Sequence, residues 1–199
     1  MAISDGVLER LCTADKFIIG TRRENFSGLS PPSYEVGAVL RELRERRELA
    51  ITNDSIYASN VIPIVIDTNV FVAGLRSAGG ASRRLLRLAL SGRFQPLFGN
   101  ALWLEYEDLL GRPVWGDATT PAERLQVLAA LAQRGQWVTV YYGWRPNLPD
   151  EADNHLIELA LAGRAAAIVT HNVRDLKGGE LRLGDLRILT PAQCLEEWQ

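Results

Sequence analysis

From residue 61 onward, strand-like and helix-like segments alternate, and that alternation restricts the chain to one class of fold. Val61 to Ile66 is a short continuous apolar run rich in β-branched residues, the pattern of a strand buried on both faces. Gly79-Gly80 precedes a helical pattern from Ala81 to Leu90, closed by Ser91-Gly92. Phe94 to Phe98 reads as a second strand, and Ala101 to Leu110 as a helix stopped by Gly111-Arg112-Pro113. Pro121 to Gln133 is a helix with proline in its first turn, and Trp137 to Tyr142 is strand-like. Pro149-Asp150 opens a helix that runs to Gly163. Ala166 to Thr170 and Leu186 to Leu189 are two more strands, and Pro191 starts a last helix. Strand followed by helix, repeated in this way, predicts an α/β domain with a parallel sheet and helices on both of its faces.

Residues 1–60 do not share this pattern. They hold a loop by composition, Ser27 to Ser33, and one amphipathic stretch, Glu35 to Leu49, with a narrow apolar face. So little apolar surface does not build a core of its own. The expected organisation is an N-terminal extension over 1–60, partly helical or poorly ordered, and an α/β domain over 61–199.

Composition narrows the function classes. The 199 residues are 47% hydrophobic and 23% charged, which is globular rather than disordered. The formal net charge is −2, so nucleic-acid binding would have to come from a local basic patch. Two cysteines, Cys12 and Cys194, exclude a disulfide scaffold and a four-cysteine zinc site. No apolar run is long enough to span a bilayer, and residues 1–20 carry too many charges for a signal peptide. The expectation is a cytoplasmic protein with no membrane partner.

In open parallel sheets, ligands bind beyond the carboxyl ends of the strands. Two strand ends here carry polar clusters: Asp67-Thr68-Asn69 after the first strand, and Thr170-His171-Asn172 after the fourth, with Asp175 three residues on. Asp67 suits either a helix N-cap or a site, because a carboxylate after a buried strand is costly without a partner. Glu105 and Tyr106 lie near the edge of the apolar face of their helix, whereas Glu107 and Asp108 point elsewhere and read as solvated surface. Asp150 and Asp153 open the next helix, where a cap and a helix dipole account for both without chemistry. If that helix starts at the carboxyl edge, however, both acids face the same mouth as Asp67. Converging carboxylates repel, and a divalent cation with oxygen ligands resolves the repulsion.

The motifs themselves are familiar. Val65-Ile66-Asp67-Thr68-Asn69-Val70-Phe71-Val72 resembles the opening of PIN-domain nucleases, especially the VapC-like toxin components of bacterial type II toxin–antitoxin operons. Leu104 to Pro113 resembles their second acidic motif, Asp150 to Ala160 the third, and Ile168 to Leu176 the fourth. Each motif alone is weak, but the four occur in order. The resemblance, covering about residues 61–199, implies a PIN-like three-layer α/β/α fold with a five-stranded parallel sheet. It implies Mg²⁺- or Mn²⁺-dependent hydrolysis of RNA to 5′-phosphate and 3′-hydroxyl ends, a cognate antitoxin as partner, and a homodimer. Carried over by motif, the catalytic and metal-holding acids are Asp67, Glu105 and Asp153, with Asp150 in second line. Many relatives carry an Asp where Asn172 stands, which removes a negative charge; Asp175 is the candidate to compensate. Thr68, Asn69 and Thr170 are candidates to orient the carboxylates. Arg83, Arg84 and Arg87, within one helical turn, are candidates to contact RNA phosphates, or else a solvated helix face. Trp103, Tyr106, Tyr141, Tyr142 and Trp144 are candidate base-stacking residues or core packing. Competing readings are a DNA- or structure-specific nuclease and a catalytically weak PIN-like module that binds RNA or protein without cutting.

Overall fold

Five consecutive residues, Ile62–Ile66, form strand β1, and its last three side chains, Ile64, Val65 and Ile66, are at most 2% exposed. Neighbouring side chains on a strand point to opposite faces, so β1 is covered on both sides. The structure, a computed structural model, describes residues 61–141, 148, 151–177 and 186–198. The readings made for 1–60, Tyr142, Trp144 and Asp150 fall outside the described residues.

After β1 come helices α1 (Thr68–Arg76) and α2 (Ala81–Leu90), strand β2 (Phe94–Phe98), and helices α3 (Asn100–Gly111) and α4 (Pro121–Arg134). Strand β3 (Gln136–Trp137), a 3₁₀ turn (Glu151–Asp153), helix α5 (Asn154–Ala162) and strand β4 (Ala167–Val169) follow. The chain closes with α6 (Val173–Lys177), β5 (Arg187–Leu189) and α7 (Pro191–Glu197). All strand pairs are parallel, in the order β3-β2-β1-β4-β5. The chain winds outward from β1 to β3, then crosses to β4 on the other side of β1. The carboxyl ends of β1 and β4 therefore flank the topological switch point, where such sheets open a crevice.

Helices cover the sheet in two layers. α2 packs on β2, α4 and α7, and α7 packs on β4 and β5; α5 packs on β1, β2 and β4 and meets α3 instead. Together with the burial of both faces of β1 and β4, this makes a three-layer α/β/α fold with a five-stranded parallel sheet.

Four elements depart from the sequence reading. Helix α1 was foreseen only as the helix that an Asp67 N-cap would start, without its extent, which follows Val70, Phe71, Gly74 and Leu75 at helical spacing, the residues it buries. Helix α6 was not foreseen. Strand β3 is two residues long rather than six, because only Gln136 and Trp137 pair with β2. The segment around Asp153 is a 3₁₀ turn before α5, not part of one continuous helix.

Aromatic rings fill the space between β2 and α3. Phe98 stacks edge-on against Trp103 at 5.5 Å, and Trp103 meets Trp137 at 4.8 Å. Trp103 and Tyr106 are thus core residues rather than exposed stacking platforms. Gly135, which links α4 to β3, lies against this cluster: a Cβ there would sit 2.5 Å from Phe98 Cε2 and 2.8 Å from the Pro96 carbonyl. Its φ of −82° is ordinary, so the constraint is space rather than backbone conformation. Gly135→Ala is expected to destabilise the domain by about 1–3 kcal/mol, the usual cost of overpacking, as measured by urea unfolding.

Candidate functional site

The site begins where β1 ends. Asp67 is the N-cap of α1, with extended backbone, and its side chain accepts a hydrogen bond from Asn69 N at 3.2 Å. Both readings made from the sequence thus meet in one residue, because the same carboxylate is also bound across the switch point. Oδ2 accepts from Thr170 Oγ1 at 2.6 Å and from Asn69 Nδ2 at 2.8 Å; Oδ1 also accepts from Thr68 Oγ1 at 3.3 Å. Thr170 is fully buried at the end of β4, and its hydroxyl accepts from Asn172 N at 2.9 Å and from Asn69 Nδ2 at 3.1 Å. Asn69 Oδ1 in turn accepts from His171 N at 3.1 Å, and His171 Nε2 meets Ser82 Oγ at 2.9 Å. Thr68, Asn69 and Thr170 therefore all bond the Asp67 carboxylate directly.

Tyr106 ties α3 to the same edge. Its buried hydroxyl donates to the Ile66 carbonyl at 2.8 Å, one residue before Asp67. Burial first, and then the charges of Asp67 and Glu105, push the Tyr106 phenol well above its ordinary pKa. The phenol therefore senses both acids and remains a donor. Glu105, next along α3, is exposed and faces α5. Its Oε1 lies 3.4 Å from His155 Nε2, an ion-pair distance without hydrogen-bond alignment.

His155 has no role in the sequence reading, and the structure gives it one. Its Nδ1 donates to the Ala152 carbonyl at 2.6 Å, so in the neutral ring Nε2 carries the lone pair. The side chain is 14% exposed against 43% for Glu105. Burial pulls the His155 pKa down, but Glu105, the Ala152 carbonyl and Asp153 together outweigh it, and the net shift is upward. The available signal was its position two residues after Asp153, at the start of a helix that packs on α3.

The capping reading made for Asp150 lies outside the described residues; Asp153 stands at the N-cap of α5 and makes no side-chain capping bond. Its charge is instead felt by His155. Tyr106 thus lies in the field of Asp67 and Glu105, and His155 in that of Glu105 and Asp153. Among the described residues, no three acid, histidine or cysteine side chains stand close enough to hold one metal ion. The donor set is nonetheless chemically suited to Mg²⁺ or Mn²⁺, being carboxylate oxygen.

Other candidates are placed differently. Asn172 is exposed and bonds Thr170 through its backbone; Asp175 is exposed in the first turn of α6. Glu107 is not plain surface, since it accepts from Trp103 Nε1 at 2.6 Å; Asp108 is exposed and pairs with Arg112. Arg83 is partly committed to the fold, donating to the carbonyls of Gly74 and Ser77 at the end of α1.

No curated protein matches the chain. Among solved structures, VapBC2 from Rickettsia felis bound to a DNA fragment from their promoter is similar at 12% identity and a TM-score of 0.43, covering 64% of this chain and 98% of that one. The family model described as a PIN domain matches residues 63–174, from inside β1 through the Asp67, Glu105 and Asp153 motifs to the start of α6. The match covers more than half of the chain and includes the carboxyl ends of both strands at the switch point, and the chain belongs to the PIN domain family.

Proposed function

We propose that the protein is a metal-dependent endoribonuclease, the toxin of a toxin–antitoxin pair, with Asp67, Glu105 and Asp153 as its acids. The observation that carries this reading is the geometry of the carboxyl edge: Asp67 is held by hydrogen bonds from Thr68, Asn69 and Thr170, and Glu105 lies 3.4 Å from His155, two residues after Asp153. PIN domains are generally nucleases, which supports hydrolysis of a phosphodiester. The toxin role, the RNA substrate and the antitoxin partner rest on the motif resemblance.

Each residue has a task in this reading. Asp67 is held in one orientation by four hydrogen bonds, so its carboxylate does not have to be ordered when substrate arrives. His155 restrains Glu105 and, when protonated, offsets part of the acid charge. Asp153, at the start of α5 and two residues before His155, is the third ligand. A divalent cation bound by these residues supplies charge neutralisation for the phosphate and lowers the pKa of the attacking water. Asp150 is a further candidate acid, and Asp175 the candidate to replace the charge that Asn172 lacks.

One observation favours a second reading, a module that binds RNA or protein without turnover. Asn172 replaces an acid in the fourth motif, and the described acids do not close into a metal cluster. The two readings differ in turnover.

Incubation of a mixed single-stranded RNA pool with Mg²⁺, Mn²⁺ or EDTA, comparing the parent with Asp67→Asn, is the decisive test. Cleavage that requires the metal and is lost in the variant is the expected outcome. A folded parent that binds RNA but never cuts it supports the second reading.

Thr170→Val keeps the shape of the side chain and removes the hydroxyl that orients Asp67. The expected result is a loss of about 10–100-fold in cleavage rate, the usual effect of deleting a group that positions a metal ligand. The Asn172 amide also loses its acceptor, so stability should fall by about 1–3 kcal/mol in urea unfolding. Unchanged activity at full folding would show that the orientation of Asp67 is not limiting.

A further inference from the structure

Helix α2 runs back along the sheet, and its first turn lies at the carboxyl edge, because Ser82 touches His171 beyond β4. Beside that turn is a groove of about 520 Å³ between α2 and α7. Arg83, Arg84 and Arg87 line it from α2, Gly79 and Gly80 close its end, and Glu196 stands on the α7 side. Three cations against one acid leave the groove positive in a protein of net charge −2.

The three arginines do not have the same duty. Arg83 is tied to the carbonyls of Gly74 and Ser77. Arg84 and Arg87 are exposed, and among the described residues neither guanidinium has an ion-pair partner. Burial first, and then the charge of Arg87, lower the pKa of Arg83, so these two cations repel one another. Gly80, at a φ of 98°, is the N-cap of α2 and supplies no side-chain cap, which leaves the positive end of the helix dipole in the groove.

The groove neighbours the acid edge through a short chain of hydrogen bonds. Asp67 bonds Asn69, Asn69 bonds His171, His171 meets Ser82, and Arg83 is the next residue. We infer that this groove carries the phosphodiester backbone of the RNA substrate past the acid edge, with Arg84 and Arg87 each contacting one phosphate. The inference rests on the ribonuclease reading and adds to it the path of the strand. Guanidinium groups suit phosphate oxygens, and contacts to phosphates position a strand without reading its sequence. The basic groove also resolves a conflict: a polyanion must approach an acidic mouth, and a positive surface beside that mouth holds it there.

The test compares the full-length parent, Arg84→Gln/Arg87→Gln and the control Arg164→Gln, an exposed arginine between α5 and β4, in RNA cleavage over a range of salt concentrations. Loss of two phosphate contacts to a single strand should raise KM by at least tenfold with kcat within about twofold. It should also flatten the log–log dependence of RNA affinity on salt by about 1.4, or about 0.7 per contact. The control should leave both unchanged. Binding of labelled RNA to Asp67→Asn, with and without the double change, reads the same slope without turnover. Parental KM and slope in a folded double variant would overturn the groove proposal while leaving the ribonuclease reading in place, even if an acidic protein partner bound the groove. Equal effects in the control would also overturn it. A parent that neither binds nor cuts RNA would overturn both.

Discussion

The hydrogen bond from Thr170 to Asp67 is the contact on which the site depends. It joins the first residue after β1 to the first residue after β4, across the point where the chain reverses direction in the sheet. A carboxylate at the end of a strand buried on both faces is expensive unless it is paired. Here each oxygen accepts two bonds, and hydrogen bonds to a charged group are stronger than neutral ones. Thr170 has no freedom in this arrangement, because it is buried and its oxygen also accepts from Asn69 and Asn172. The network fixes the start of α1, the turn after β4 and the orientation of the carboxylate together.

The second constraint is the packing of α3. Phe71 of α1 meets Tyr106 edge-on at 5.2 Å, and Tyr106 reaches the backbone of β1 through its hydroxyl. Core packing therefore sets the height of Glu105 along the sheet, since Glu105 precedes a residue that cannot move without breaking a buried hydrogen bond. From there Glu105 meets His155, which is anchored by the Ala152 carbonyl. The exposed acid of the site is thus placed by two groups far less exposed than itself.

The parallel sheet was legible because burial on both faces leaves a simple trace: continuous apolar strands separated by helical stretches. The acid motifs were legible as motifs, through Asp67, Glu105 and Asp153. The links between them were not. Tyr106 stood out only as an aromatic ring, yet its contribution is a hydroxyl that bonds backbone 40 residues away. His155 was passed over because its partner is on another helix, and no local spacing encodes that. Helix α1 was legible only at its start, through the N-cap reading of Asp67, because Val70, Phe71, Gly74 and Leu75 leave a short apolar face over nine residues. Strand β3 was overdrawn because Val138, Thr139 and Val140 have strand-like composition, whereas pairing with β2 is what makes a strand, and it ends at Trp137. Arg83 shows the converse: charge pattern offered a phosphate contact or a solvated helix face, whereas its guanidinium also bonds the carbonyls at the end of α1.

Asp67 and Asp153 show why the choice between a capping acid and a functional acid is a false one. Asp67 caps α1 with one oxygen while the other is held by β4, so capping is part of what orients it. Asp153 occupies the equivalent position at α5 and makes no capping bond. Both helices nonetheless start at acids, and the positive end of each helix dipole partly offsets the charge placed there. The carboxyl edge of the sheet is where helices of a parallel α/β fold begin, so the fold itself supplies partial positive charge where the acids gather. His155 adds a third source, a ring whose protonated form is favoured by the acids beside it. These three offsets lower the cost of an acidic edge without removing the carboxylates themselves.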